Sequence, residues 1–354
     1  MTRMAHRRRW RAVFAGSLGA GCVALGALGV AADRPIGWLR SGYGTLEREL
    51  NREATRGLRF AAASDGLPSC AIVAMQAPER AGAKAEYRVV SDKDLPAGLG
   101  GLLDQGFVPR GSARGLGLRH DVIFERTSPA GPAAAWRLVE FDKVEDLQTA
   151  LSDAAGEGFR AAMLVRPAFR SWPGMSERGM VLARKTPGAT PVDVQVFLAT
   201  KKNVDDLSRD VATATSSGWQ FDLLFAHTRD GAAKGRRERA AVVLSKPRSG
   251  AAPPVPVKIE RRASFGVLGD VVLGAAGYWD EVLVASTTGE RRQAWASPVR
   301  LGARDVDCGP LGLGFRFDAP RDQVWSITGL VARPLPTDGD YEVLVVSDQD
   351  MNVR

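Results

Sequence analysis

The chain has 354 residues, of which 45% are hydrophobic and 25% are charged, and its formal net charge is +8. This composition can fill one or two cores and excludes a largely disordered chain. Five arginines and no acidic residue fall within residues 1–32, so the remainder carries about +3, which gives no reason to expect nucleic-acid binding.

Residues 1–32 have the pattern of a secretory signal peptide. A basic stretch precedes a run of Ala, Gly, Val and Leu, and Val30, Ala31 and Ala32 place small residues before Asp33. We therefore predict export to the periplasm or beyond the cell, with Asp33 as the first mature residue. The alternative is an inner-membrane anchor formed by residues 12–32.

The stretch 192–247 is the clearest copy of a unit that the chain repeats. Apolar residues at 192, 194, 196 and 198 alternate as in a strand, and those at 204, 207, 211 and 214 have helical spacing. Gly218 then ends the helix, where we expect a positive φ, and two further strands follow. The unit is thus strand, helix, strand, strand.

The same pattern recurs along the chain, most clearly sixty residues earlier around Gly158. The helix-ending glycines, Gly57, Gly106, Gly158, Gly218 and Gly277, are separated by 49, 52, 60 and 59 residues. We predict an α+β protein of about five tandem units, with antiparallel-rich sheets that carry helices packed on one face, and a strand-rich C-terminal segment.

The predicted units span residues 43–76, 86–127, 135–187, 192–247 and 255–298. The first unit shows no opening strand, and the fifth has its helix at 265–276. Residues 299–354 form an irregular strand-rich tail. Its closing strand, 340–346, is predicted to pair within the first unit.

Such pairing would bring the tail near the first unit, and with it the two cysteines of the mature chain, Cys70 and Cys308. Cysteines of exported proteins are commonly paired, so a disulfide between them is one prediction. Two unrelated thiols are the alternative, because the sequence does not give the distance between the two Cβ atoms.

The segments WRLVEF, LQTALSDAAGEGF and GMVLARK of the third unit, with VFLAT, LSRDVATATSSGW and AAVVLSKP of the fourth, resemble a family of small bacterial domains of unknown function. That family is built as strand, helix, strand, strand, with a Gly-Trp or Gly-Phe helix stop. The resemblance covers about two thirds of the mature chain by our reading. It implies a fold and a repeat, and it transfers no site residue.

Two loops are candidate binding sites. The loop after the second strand of the third unit contains Trp172 and Met175, and the hairpin tip of the fourth unit is basic, with Lys234, Arg236, Arg237 and Arg239. Basic loops attract anionic polymers, although ordinary solvated loops have the same composition. No catalytic, cofactor-binding or metal-binding residue is predicted.

We expect a non-catalytic binding or assembly module of the bacterial cell envelope. Its partner is unknown, and the candidates are another envelope protein and an anionic envelope polymer. Two alternatives remain open: an exported enzyme with its site in residues 299–336, and a secreted inhibitor or host-directed factor.

Overall fold

A computed structural model gives the fold of residues 36–41, 45–65, 71–78, 84–114, 120–128, 134–170, 176–200, 203–227, 239–250, 252–262, 267–268, 271–278, 281–287, 294–301, 325–334 and 341–349. Four α-helices lie in these residues: α1 at Leu46–Thr55, α2 at Leu95–Asp104, α3 at Leu147–Gly156 and α4 at Val204–Ser216. A 3-10 turn at Val144–Asp146 precedes α3.

The same residues form twenty-one strands, named in chain order: β1 Ile36–Ser41, β2 Arg59–Asp65, β3 Ala71–Gln76, β4 Lys84–Ser91, β5 Val108–Arg114, β6 His120–Ser128, β7 Ala135–Phe141, β8 Arg160–Arg166, β9 Phe169–Arg170, β10 Ser176–Glu177, β11 Gly179–Lys185, β12 Val192–Thr200, β13 Gln220–His227, β14 Arg239–Pro247, β15 Val257–Arg262, β16 Val267–Leu268, β17 Val271–Tyr278, β18 Glu281–Thr287, β19 Ala294–Leu301, β20 Trp325–Pro334 and β21 Tyr341–Gln349. The predicted α+β class is confirmed.

Within the described residues, eighteen strands form six antiparallel triplets that share one order. In each triplet the third strand lies between the first and the second. The triplets are β1-β3-β2, β4-β6-β5, β7-β11-β8, β12-β14-β13, β15-β18-β17 and β19-β21-β20. Strands β20 and β21 of the last triplet lie in the tail that the sequence sets apart, whereas β19 begins within the predicted fifth unit, 255–298, and belongs to the last triplet instead. The strand order of this triplet matches that of the others.

The second strands of the six triplets form a closed ring. Each contacts the second strand of the next triplet, in the order β2, β5, β8, β13, β17, β20 and back to β2. The ring closes through parallel pairing of β2 with β20, at Ser64 with Leu330 and at Asp65 with Val331. We call these six strands the inner ring. Because the ring is closed, each of the six triplets has a neighbouring triplet on both sides.

Each α-helix ends in the same way before its inner-ring strand. Gly57, Gly106, Gly158 and Gly218 have φ between 82° and 91°, as predicted for Gly158 and Gly218. Each glycine and the apolar residue after it donate backbone hydrogen bonds to the last turn of the helix, for example Gly218 N to Thr215 O and Trp219 N to Ala214 O. This is a Schellman motif, which favours glycine.

The core consists of layers between consecutive triplets. Helix α3 packs on β7 of its own triplet and on β12 of the next, and α4 packs in the same way on β12 and β15. The middle strand of a triplet therefore buries both faces. In β14, Ala241 and Val243 face the third triplet, whereas Val242 and Leu244 face the fifth. This explains the continuous apolar run of that strand.

Buried ion pairs join successive triplets. Arg59 of the first triplet binds Glu125 of the second, and Arg160 of the third binds Asp222 of the fourth. Between the second and third, Asp92 Oδ2 lies 2.7 Å from Arg166 Nη1. Removing one partner of such a pair leaves the buried carboxylate uncompensated, which destabilises the contact between the two triplets.

The structure corrects the predicted ends of the repeat. The first unit has an opening strand, because β1 pairs antiparallel with β3 from Ile36 to Ser41. In place of the helix predicted at 265–276, residues 271–276 belong to β17, where Val271 and Val272 favour an extended chain. Gly277 consequently lies in that strand and ends no helix.

The two ends of the chain meet through a different strand from the one predicted. The C-terminal strand β21 pairs with β19 and β20, and not with the first unit. The preceding strand, β20, makes the contact with β2. The opening strand β1 already occupies the position that the closing strand was predicted to fill.

Candidate ligand-binding cavity

A cavity of about 400 Å³ lies on the axis of the inner ring. All six inner-ring strands contribute to its wall, from Phe60 in β2 to Leu330 in β20, and Trp136 of β7 joins them. Small side chains, among them Ala61, Ala162 and Ala275, make the space. Its volume is in the range of sites that hold small molecules. We call it the axial cavity.

Every inner-ring strand has a β-bulge at the same place. Strand β8 has a second irregularity, at Val165. At the place that all six strands share, one residue has no opposing partner on the middle strand of its triplet, and these residues are Ala61, Arg110, Ala162, Asp222, Leu273 and Thr328. The first five line the axial cavity. A bulge interrupts the ladder and redirects a side chain, so the six bulges form a belt of altered backbone around the axis.

Arg110 is the cation among the described residues of the cavity wall. Its side chain is 45% exposed, and its Nε lies 3.8 Å from Glu125 Oε2. Glu125 is 2% exposed and already binds Arg59 through Oε1. The hydroxyl of Tyr87 donates to Glu125 Oε2 at 2.9 Å. Glu125 therefore compensates one of two guanidinium groups, and Arg110 is held at a distance too long for a hydrogen bond.

Tyr87 anchors this group of side chains in the core. Its hydroxyl accepts a hydrogen bond from the backbone N–H of Phe60 at 2.7 Å, and it donates to Glu125. Burial and the charge of Glu125 raise the pKa of the Tyr87 hydroxyl above its ordinary value. Tyr87 thus stays neutral and acts as a fixed donor that keeps Glu125 in place beside Arg110.

Asp222 is the acidic residue of the cavity wall, and its side chain is 2% exposed. Its Oδ1 accepts from Arg160 Nε at 2.8 Å and from Ser245 Oγ at 3.1 Å, while its Oδ2 has no partner among the described residues. Burial raises the pKa of this carboxyl to about 6, against the opposing effect of Arg160. Asp222 and Arg160 together leave no net charge at neutral pH.

Four aromatic residues complete the wall: Phe60, Trp136, Phe221 and Phe225. Phe60 packs on Gly111 of the next triplet, and Phe221 packs on Gly274 of the fifth. The buried Nε1 of Trp136 has no hydrogen-bond partner among the described residues. The cavity therefore combines flat apolar surfaces with one loosely paired cation.

The binding loops predicted from sequence fall largely outside the described residues. Trp172, Met175, Lys234, Arg236 and Arg237 lie there, as do both cysteines of the predicted disulfide, Cys70 and Cys308. The binding loops and the disulfide are therefore still predictions.

Arg239 of the basic hairpin is described. It begins β14 and forms an ion pair with Glu145 of the preceding triplet, so its charge is compensated. Of the segment 299–336 predicted for the alternative enzyme site, residues 302–324 and 335–336 also lie outside the described part.

Arg110 and Asp222 were not among the candidate residues identified from the sequence. Both lie four residues after a helix-ending glycine, at Gly106 and Gly218, and the residues four after Gly57 and Gly158 are Ala61 and Ala162. Aligning the units on the glycine would have placed all four side by side. Their differing types, Ala, Arg, Ala and Asp, carry no pattern that marks a site.

Comparison of the chain with known protein families, with curated proteins and with solved structures finds no match. In the part of the chain that the structure describes, no group of three or more His, Cys, Asp or Glu side chains could hold a metal ion. Of the helices described, none has the length and apolarity needed to span a lipid bilayer.

Proposed function

We propose that the protein is an exported binding module of the bacterial cell envelope and that it holds a small ligand in the axial cavity. The observation that carries this proposal is the convergence of all six inner-ring strands on one cavity. Arg110 and Leu273, which are 45% and 40% exposed, give the cavity access to solvent. The predicted signal peptide supports export.

The chemistry of the wall favours binding over catalysis. Nucleophilic catalysis needs a nucleophile within reach of a base. The one hydroxyl among the described wall residues, that of Ser112, donates to the Leu164 carbonyl at 2.8 Å. The one carboxylate, that of Asp222, is bound by Arg160. The wall is thus suited to hold a molecule in place.

Binding of a neutral fluorescent probe, N-phenyl-1-naphthylamine, tests the location of the site. The parent protein is expected to bind one probe molecule with a rise in fluorescence. Ala162→Trp, which fills the cavity from a bulge of the inner ring, is expected to abolish binding. The control Ala97→Trp changes an exposed alanine of α2 and is expected to bind as the parent does. Equal binding by both variants would place the site elsewhere.

A further inference from the structure

We infer that the ligand of the axial cavity is a small organic anion, with a carboxylate, phosphate or sulfonate on an apolar body, and that Arg110 binds its charged group. This inference rests on the proposed function, because it requires that the axial cavity is the binding site.

The charged side chains described at the cavity have a net positive charge. Asp222 is matched by Arg160, whereas Glu125 is shared between Arg59 and Arg110. Among the described residues, one cationic charge therefore remains at the end of the wall where Arg110 lies. A cleft with an excess of one charge raises the local concentration of counter-ions, and an anion is the ligand that compensates this excess.

The guanidinium of Arg110 has the freedom to bind an anion in a bidentate manner. Its contact with Glu125 runs through Nε at 3.8 Å, and Glu125 is already held by Arg59 and by Tyr87. No other ion pair or side-chain hydrogen bond of Arg110 is found among the described residues. Arginine presents parallel N–H donors that match the oxygens of a carboxylate, phosphate or sulfonate.

The side chains of the remaining wall are mostly apolar and suit an apolar body on the same molecule. Phe60, Phe221 and Leu273 supply flat or aliphatic surface, and most of the other wall residues are alanine, leucine or glycine. An inorganic anion would satisfy Arg110 and leave this apolar surface wet. A ligand that carries both parts removes the apolar surface from water and meets the charge.

A pair of fluorescent probes separates charge from apolar contact. 8-Anilinonaphthalene-1-sulfonate carries a sulfonate, and N-phenyl-1-naphthylamine has the same ring system without it. The parent protein is expected to bind the sulfonate more tightly. Arg110→Gln is expected to raise the Kd of the sulfonate about tenfold or more, as for loss of a charge-assisted hydrogen bond, and to change the Kd of the neutral probe less than about twofold.

Arg88→Gln is the matched control. Arg88 is 50% exposed and pairs with Glu47 at 2.8 Å, away from the cavity wall, so this substitution removes an equal charge. It is expected to leave both Kd values unchanged. A melting temperature within about 2 °C of the parent for both variants would show that neither change acts through unfolding.

Competition tests whether the ligand needs its apolar body. Millimolar inorganic phosphate is expected to leave the sulfonate probe bound, whereas octanoate is expected to displace it. Displacement by phosphate at the same concentration as octanoate would overturn the apolar part of the inference.

The outcomes distinguish this inference from the proposed function. If both probes bind in the cavity and Arg110→Gln affects neither, or both equally, anion recognition is overturned and the binding site stands. If neither probe binds the parent, or if Ala162→Trp still binds both, the proposed function fails and this inference fails with it.

Discussion

The aromatic ring of Phe60 lies where a side chain on Gly111 would begin. A Cβ atom built on Gly111 would be 2.6 Å from Phe60 Cζ. The contact joins the inner-ring strands of the first and second triplets at the wall of the axial cavity. Close packing against Phe60 is therefore the reason for glycine at this position. The backbone conformation is not the reason, since the φ of Gly111 is not in the left-handed region.

Gly111→Ala is therefore expected to lower the free energy of unfolding by about 1–3 kcal/mol, since the added methyl group displaces Phe60. Urea denaturation measures the change. Gly98→Ala, inside α2, is the control, because a Cβ atom at this position would meet nothing within 4 Å. The free energy of unfolding should rise by about 0.5–1 kcal/mol through the higher helix propensity of alanine. A loss of equal size at both positions would contradict the packing argument.

Gly218→Val tests the helix stop. The φ of Gly218 is +88°, which valine reaches only with backbone strain, so the free energy of unfolding is expected to fall by about 1–3 kcal/mol. The control Gly156→Ala lies within α3, where the new methyl group has open space, and it is expected to be neutral or stabilising. An unchanged urea midpoint for Gly218→Val would remove the conformational role assigned to this glycine.

Four helix stops and the α+β class were predictable from the sequence because they rest on local signals. Gly218, for instance, is followed by Trp219, and the same pairing of glycine with an apolar residue marks the other three stops. The stop assigned to Gly277 was wrong, because glycine and an aromatic residue also occur together within β17.

A meeting of the two ends of the chain was predicted, but the strand that closes the ring was not, because nothing near Ser64 or Leu330 indicates that these two residues pair. The charged wall residues could not be predicted for a related reason. Arg110 and Asp222 face the cavity because they lie at bulges, and their charges are set against neighbours in other triplets, such as Glu125 and Arg160. Periodicity reports which face of a strand is apolar, and it does not report a bulge.

The buried carboxyl of Asp222 predicts a specific dependence of stability on pH. Its pKa is about 6 in the folded protein, above the value near 3.8 of an unperturbed aspartate. Between these values the folded state binds more protons than the unfolded state, so this group adds stability as the pH falls from 7 to 5. The contribution is about 1 kcal/mol over that interval.

Comparison with Asp222→Asn isolates this contribution, because the variant lacks the titrating group and retains the other acids. Urea denaturation at pH 7 and pH 5 should show that the free energy of unfolding of the parent rises by about 1 kcal/mol relative to that of the variant as the pH is lowered. A difference between the two proteins that is constant with pH, or that grows as the pH rises, would contradict the assigned pKa.

Export predicts a defined N-terminus. Protein isolated from the periplasm or the medium is expected to begin at Asp33, as shown by N-terminal sequencing. Replacing Ala32 with a bulky residue should block cleavage and retain the precursor at the membrane. An intact Met1 on protein found in the membrane fraction would favour the anchor alternative.

The crystal structure of the complex with 8-anilinonaphthalene-1-sulfonate would test the central claim most directly. We predict density for the naphthalene ring inside the inner ring, between the surfaces of Phe60 and Phe221, with the sulfonate against the guanidinium of Arg110. Density on the outer faces of the sheets with an empty axial cavity would contradict the account.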